Sequence, residues 1–168
     1  MQDLNFKDLS WNKIKELSEG RFVNLTRLQE LNIANNLLEF IPEKAFLKLS
    51  TLRTLHLQNN RFRSIPSISF VPLVNLENLY LSYNNLVLPS EDSFASLPRL
   101  QKLWLDGTNL FEAPIKSLLS LTKLESLNLA SNNIRSIPDF SFQNSKKLVH
   151  LYLQNNLIEY IGVNAFEG

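Results

Sequence analysis

LQELNIANNLL at residues 28–38 is one copy of a pattern that returns as LRTLHLQNNRF at 52–62 and as LESLNLASNNI at 124–134. Leucine opens each copy, apolar residues follow at the fourth, sixth and eleventh places, and asparagine stands at the ninth. A fixed period of this length indicates one short structural unit stacked many times. The opening leucine recurs every 24 residues, at Leu4, Leu28, Leu52, Leu76, Leu100, Leu124 and Leu148.

This pattern is the signature of the leucine-rich repeat, whose period is about 20–29 residues. We therefore predict an α/β repeat fold, a right-handed leucine-rich-repeat solenoid with a concave parallel β-sheet and an irregular convex side. The array is expected to span residues 1–168 as seven 24-residue repeats that start at 4, 28, 52, 76, 100, 124 and 148. The last repeat is truncated and the polar caps that shield the ends of such stacks are absent, which indicates part of a longer protein.

Each unit contains three positional signals. Places three to seven alternate between exposed and buried, as in the stretch 30–34, which is the period of a half-buried strand. Place nine is asparagine except at Thr108. A column of stacked asparagine amides can form hydrogen bonds with the backbone N–H and C=O groups that are left without partners where the chain leaves each strand. Place nineteen predicts an internal aromatic column of Phe22, Phe46, Phe70, Phe94, Phe142 and Phe166, with Leu118 once. Prolines near place fifteen favour extended chain or short turns on the convex side.

Composition narrows the class of protein. The formal net charge of +1 gives no reason to expect a nucleic-acid partner, which needs clustered basic residues. Apolar runs are too short to cross a bilayer, so any membrane attachment is expected only through regions outside this chain. The chain has no cysteine, but in secreted repeat proteins disulfides lie mostly in the caps, so the count does not argue against an extracellular location.

Large aromatic side chains stand at places that the backbone pattern leaves exposed. Place five reads Asp8, Asn32, His56, Tyr80, Trp104, Asn128 and Tyr152, and place eight adds Trp11 and Tyr83. Exposed aromatic residues are enriched in the energetic centres of interfaces, although neighbouring rings also stabilise a sheet by packing on each other. Charges on this face lean acidic, which suits a basic, partly apolar partner. The candidate ligand-binding residues are His56, Tyr80, Tyr83, Lys102, Trp104, Asp106, His150 and Tyr152.

Catalysis, metal binding and cofactor binding are not indicated. His56 and His150 are expected four strands apart, about 19 Å at the usual strand spacing, too far to share a metal or a proton. The sequence has no glycine-rich phosphate loop and no repeated carboxylate pair at metal-ligand spacing. Asn24-Leu25-Thr26 matches the N-glycosylation acceptor and makes Asn24 a candidate glycan site.

The chain resembles the ectodomains of leucine-rich-repeat-containing G-protein-coupled receptors, in the branch of the R-spondin and bursicon receptors. The likeness lies in Leu103–Asp106, Asn109–Pro114 and Ser136–Asn144, and also in Asn24–Leu28, Leu57–Asn60, Leu148-Val149 and Asn155-Asn156. Its specific parts are the Trp104 and Asp106 pair and the segment Pro138–Phe140, while much of the rest is generic to the repeat. Lys102 stands where the family tends to have histidine, and Ser82 where it tends to have aspartate.

The resemblance implies an extracellular or cell-surface receptor part that binds a secreted protein, R-spondin-like or a cystine-knot hormone, on its concave face through Trp104 and Asp106. Two alternatives stay open. One is another extracellular adhesion or innate-immunity protein with the same repeats. The other is a matrix or dimerisation module that assembles through its own sheet or its open edge.

Overall fold

A computed structural model describes residues 3–167; Met1, Gln2 and Gly168, the outermost residues of the expected array, lie outside the described residues. Seven strands form one parallel sheet, and a second, two-stranded parallel sheet lies on the returning side of the chain. The large sheet contains β1 Phe6–Asp8, β2 Glu30–Asn32, β3 Thr54–His56, β4 Asn78–Tyr80, β5 Lys102–Trp104, β6 Ser126–Asn128 and β8 His150–Tyr152. The small sheet pairs β7 Ser136–Ile137 with β9 Tyr160–Ile161.

Neighbouring strands pair without any offset, because each coil has the same length. Leu55 lies opposite Leu31 on one side and opposite Leu79 on the other, and every other pair in the large sheet also joins residues 24 apart. The central residue of β2 to β6 is a buried leucine whose side chain enters the coil. In β1 this place is Lys7, which is only half-buried. The stacked coils form the solenoid that the period predicts.

The asparagine column satisfies the backbone as the sequence predicts. Asn60 Oδ1 accepts a hydrogen bond from Leu38 N–H in the preceding coil, at 3.0 Å. Its Nδ2 donates to Ile33 O in that coil and to Leu57 O in its own, at 3.0 and 3.1 Å. Asn36, Asn84, Asn132 and Asn156 repeat this arrangement and bind Ile14, Phe62, Leu110 and Ile134 N–H. Each amide therefore joins two coils.

Thr108 interrupts this column. Its hydroxyl donates to Leu105 O at 2.7 Å and does not extend to the preceding coil as an asparagine amide does. Within residues 3–167, Leu86 N–H lacks the hydrogen bond that the equivalent amides of the other coils receive. The interface between the fourth and fifth coils is thus joined by fewer side-chain hydrogen bonds than its neighbours.

The phenylalanine column is internal for most of its length. Phe46, Phe70 and Phe94 are fully buried, and the ring centroids of Phe22 and Phe46 lie 6.4 Å apart. In the last coil of the given sequence, Phe166 is 57% exposed and stacks on Phe142, with the ring centroids 6.0 Å apart.

The returning side of the chain consists mainly of turns, as predicted from its prolines. Two coils nevertheless form one helical turn directly after a proline: a 3-10 helix at Ser67–Phe70 follows Pro66, and α1 at Ile115–Leu118 follows Pro114. Proline is tolerated there because the first helical residues need no N–H donor. In the described part of the chain, no helix has the length and apolar character needed to cross a membrane.

Candidate binding face of the sheet

A row of aromatic rings runs across the strands at place five. The His56 and Tyr80 rings stack with centroids 4.6 Å apart and an interplanar angle of 4°. Tyr80 and Trp104 follow at 5.6 Å, with their planes tilted by 57°. These distances match the spacing of neighbouring strands, so the in-register pairing of β3, β4 and β5 brings the three rings together. We call this row, with Tyr152, the aromatic row.

Trp104 also contacts Tyr152, two strands away, at a centroid distance of 6.4 Å. The residue between them is Asn128, which is small enough to lie beneath both rings and is buried. All three residues of β6 are consequently buried, whereas β4 and β5 have only a buried central leucine. The Trp104 indole N–H is buried and has no acceptor within the described residues.

Asp106 lies two residues after Trp104 and is buried. Its Oδ1 accepts hydrogen bonds from the Ser82 hydroxyl and from Asn128 Nδ2, the latter at 3.1 Å. The carboxylate therefore connects the fourth, fifth and sixth coils beside Trp104. The sequence suggested that Asp106 is an exposed charge that binds the ligand. In the structure Asp106 is buried, and its hydrogen-bond partners are Ser82 and Asn128.

Acidic side chains lie beside the start of the row. Glu30 Oε1 is 3.2 Å from His56 Nε2. Burial raises the pKa of the Tyr80 phenol, and the negative charge of Glu30 raises it further. Hydrogen bonds from the Ser10 side chain and backbone lower the pKa of Asp8. The face thus combines aromatic area with carboxylates.

Trp11 and Tyr83, which the sequence suggested for the concave face, are both exposed. They occupy place eight, the turn that follows each strand, where φ lies between 53° and 62° in all seven coils. This left-handed conformation favours glycine and asparagine and is unusual for a bulky residue. Tyr83 packs against Gly107: a Cβ at Gly107 would lie 2.6 Å from Tyr83 Cδ1. Tyr83 is therefore beside the sheet, separate from the aromatic row.

The remaining candidates are exposed. Lys102 and His150 occupy place three, and the His150 ring lies 6.4 Å from that of Tyr152. Asn24 is exposed on a turn of the first coil. The structure thus gathers His56, Tyr80, Trp104 and Tyr152 in one surface, extends it with Lys102 and His150, and leaves Asp106 buried.

Sequence reasoning missed the groups that support the row. Ser82 and Asn128 hold Asp106, and Glu30 lies against His56. The available signal was the 24-residue step itself, since these residues lie at places three, five and seven in coils adjacent to their partners.

Comparison with known proteins supports the repeat assignment. The sequence model of the family described as leucine rich repeat matches residues 8–62, 50–110 and 122–168. Among solved structures, the crystal structure of the TLR13–ssRNA13 complex is similar with a TM-score of 0.85 and 32% sequence identity. The similarity covers 96% of this chain and 23% of that chain. No curated protein matches the sequence.

Proposed function

This chain belongs to the leucine-rich-repeat family, whose solenoids are scaffolds for concave binding surfaces, and we propose that it binds a protein ligand on the aromatic row. The contact residues in this proposal are His56, Tyr80, Trp104 and Tyr152, with Lys102 and His150 at the edge. Asp106 acts indirectly, because it holds the residues beneath Trp104.

One observation carries the proposal: the side chains of the aromatic row come from four of the five coils between the third and the seventh, and neighbouring rings of the row are in contact. Packing between the rings explains the contacts of His56 with Tyr80 and of Tyr80 with Trp104. It does not require that all four side chains keep part of their surface exposed to solvent, as they do here. Aromatic anchors held rigid before binding lose little conformational entropy on binding, which favours their use in protein interfaces.

The charges beside the row favour a partner that is basic and partly apolar. Glu30 lies against His56 in the row, and Arg53 is paired with Glu77. Complementary charge assists encounter and orientation of the partner. A secreted ligand of the R-spondin or cystine-knot type meets this description, in keeping with the receptor resemblance, and an extracellular or cell-surface location with a glycan on Asn24 belongs to the same proposal.

Single-stranded RNA is the second candidate, because the similar solved structure is a complex of TLR13 with ssRNA13. Bases bind to aromatic side chains through exposed ring faces within a positively charged groove. Here His56 already covers one face of Tyr80, and the carboxylate of Glu30 lies beside it. The protein ligand is therefore the better match.

A binding screen of the protein against an array of secreted proteins and against a single-stranded RNA oligonucleotide tests this function. We expect a secreted protein to bind, Trp104→Ala to abolish most of that binding, and Trp11→Ala, which changes the exposed tryptophan outside the row, to leave it unchanged. RNA binding that depends on Trp104 would replace the protein proposal. If Trp104→Ala leaves the binding of every partner unchanged, the assignment of this face is refuted.

A further inference from the structure

A pocket of about 600 Å³ lies beside the sheet, at the turns of the second to fifth coils. Arg61, Arg63, Tyr83, Asn85 and Asn109 line it, and Glu39 stands at its edge. Its size falls in the range of small-molecule sites, about 300–1,000 Å³. None of these residues belongs to the aromatic row, so the pocket is separate from the proposed protein-binding face.

Tyr83 supplies the one aromatic surface of the pocket. Its backbone has φ of 55°, in a turn where three other coils have asparagine, and its ring lies against Gly107. With one side supported by Gly107 and 56% of the residue exposed, Tyr83 is a fixed platform for the C–H face of a ring-shaped ligand.

The polar side chains are arranged as paired donors and acceptors. Asn109 Nδ2 donates to Asn85 Oδ1 at 2.8 Å. This bond fixes both amides and leaves Asn85 Nδ2 as a donor and Asn109 Oδ1 as an acceptor, with no other partner within residues 3–167. Neighbouring hydroxyl groups of a sugar, which both donate and accept, match such a pair.

The arginines differ in their partners. Arg61 Nη1 lies 4.0 Å from Glu39 Oε1, whereas Arg63 has no carboxylate within that distance among the described residues. The pocket therefore contains one guanidinium that is not neutralised, and a guanidinium binds a carboxylate through two parallel hydrogen bonds.

We propose that this pocket binds an acidic saccharide residue that carries one carboxylate, of the uronic-acid or sialic-acid class. The carboxylate binds Arg63, the sugar hydroxyls bind Asn85 and Asn109, and the C–H face lies on Tyr83. An acidic peptide would use Arg63 but would leave the amide pair and the Tyr83 ring without matched groups.

Saturation-transfer NMR tests the proposal with four probes at millimolar concentration: methyl glucuronide, the methyl glycoside of N-acetylneuraminic acid, neutral methyl glucoside and a short glutamate-rich peptide. We expect at least one acidic sugar to bind and the neutral sugar to bind at least about tenfold more weakly, because it lacks the charge-assisted bonds. Arg63→Gln and Tyr83→Asn should each weaken binding of the acidic sugar, also by at least about tenfold.

Matched controls exist in the same chain. Arg135→Gln changes an exposed arginine at the place of Arg63 three coils later, and Trp11→Asn changes the aromatic residue at the place of Tyr83 in the first coil. Both should retain binding. Because asparagine is the residue of other coils at this turn, Tyr83→Asn should fold, which circular dichroism verifies.

Four results would overturn the proposal: no binding of either acidic sugar, equal binding of the neutral sugar, stronger binding of the peptide, or binding that Arg63→Gln and Tyr83→Asn leave unchanged. None of these results bears on the aromatic row, whose own test uses Trp104→Ala.

Discussion

Trp104 reaches over Asn128 and contacts Tyr152, so two aromatic residues from strands that are not neighbours form one surface. The contact depends on the small residue between them. A large side chain at 128 would push the rings apart and divide the aromatic row in two.

The first prediction concerns Trp104 as an anchor. Trp104→Ala should weaken binding of the protein ligand by at least roughly 2 kcal/mol while the protein stays folded, because truncation of a central aromatic anchor removes contact area. Titration calorimetry with the partner obtained from the screen measures the change, and circular dichroism monitors the fold. Unchanged affinity would exclude Trp104 from the interface.

The second prediction concerns the internal phenylalanine column. Phe94→Ala should reduce the free energy of unfolding by about 3–5 kcal/mol, because the fully buried ring leaves a cavity. Phe166→Ala is the matched control and should cost clearly less, because Phe166 is largely exposed. Equal losses of thermal stability in the two variants would contradict this account of the core.

The third prediction concerns the interrupted asparagine column. Thr108→Asn should stabilise the protein by about 0.5–1.5 kcal/mol, since an amide at this place can accept from Leu86 N–H as the other coils do from theirs. Asn60→Thr is the converse change and should destabilise. Urea unfolding measures both, and a destabilised Thr108→Asn would mean that the neighbouring coils are too close for the amide.

The fourth prediction concerns Gly107 and Tyr83. Gly107→Ala should destabilise the folded protein by about 1–3 kcal/mol. Alanine disfavours the φ of 62° at this position, and its Cβ would clash with the Tyr83 ring. Tyr83→Asn removes the steric part only, so the double variant should recover part of the loss. A double-mutant cycle measures the coupling between the sites, and additive effects would show that the ring does not lie on Gly107.

The fifth prediction concerns pH. The pKa of Tyr80 is raised in the folded protein, so the folded state keeps this proton more tightly than the unfolded chain does. The resulting stability is fully present below the ordinary pKa of 10.0 and is lost as pH rises through the folded pKa. Thermal unfolding of Tyr80→Phe should therefore show a smaller loss of stability at alkaline pH than the wild-type protein; an identical loss would contradict the shift.

The period of the sequence predicts the parts of the fold that repeat. Leu31, Leu55 and Leu79 are buried, and Asn60 and Phe94 occupy their columns, because equal coil length imposes the same position on each place. Turn chemistry was also available at place eight, where Asn35, Asn59 and Gly107 are residue types that favour positive φ.

The 24-residue step shows which places are neighbours in adjacent coils, but it does not show how unlike side chains at those places pack together. Asp106 is buried because Ser82 and Asn128 from two other coils donate to it, and Trp104 reaches Tyr152 because residue 128 is small. These contacts depend on side-chain orientation across three coils, which no pattern within one repeat encodes.

Because residues of β1 to β6 and β8 pair at a constant separation of 24, the length of the sheet can change in evolution or by design only by whole coils. Insertion or loss of one whole coil would lengthen or shorten the array by one strand, and every remaining residue would keep its place in its repeat. Insertion of a single residue would instead shift the register of one coil against its neighbours. The distance between the acidic beginning of the sheet and Trp104 can thus change only in units of one strand separation, about 4.8 Å, and each such change would alter the contacts between the two coils at the insertion point.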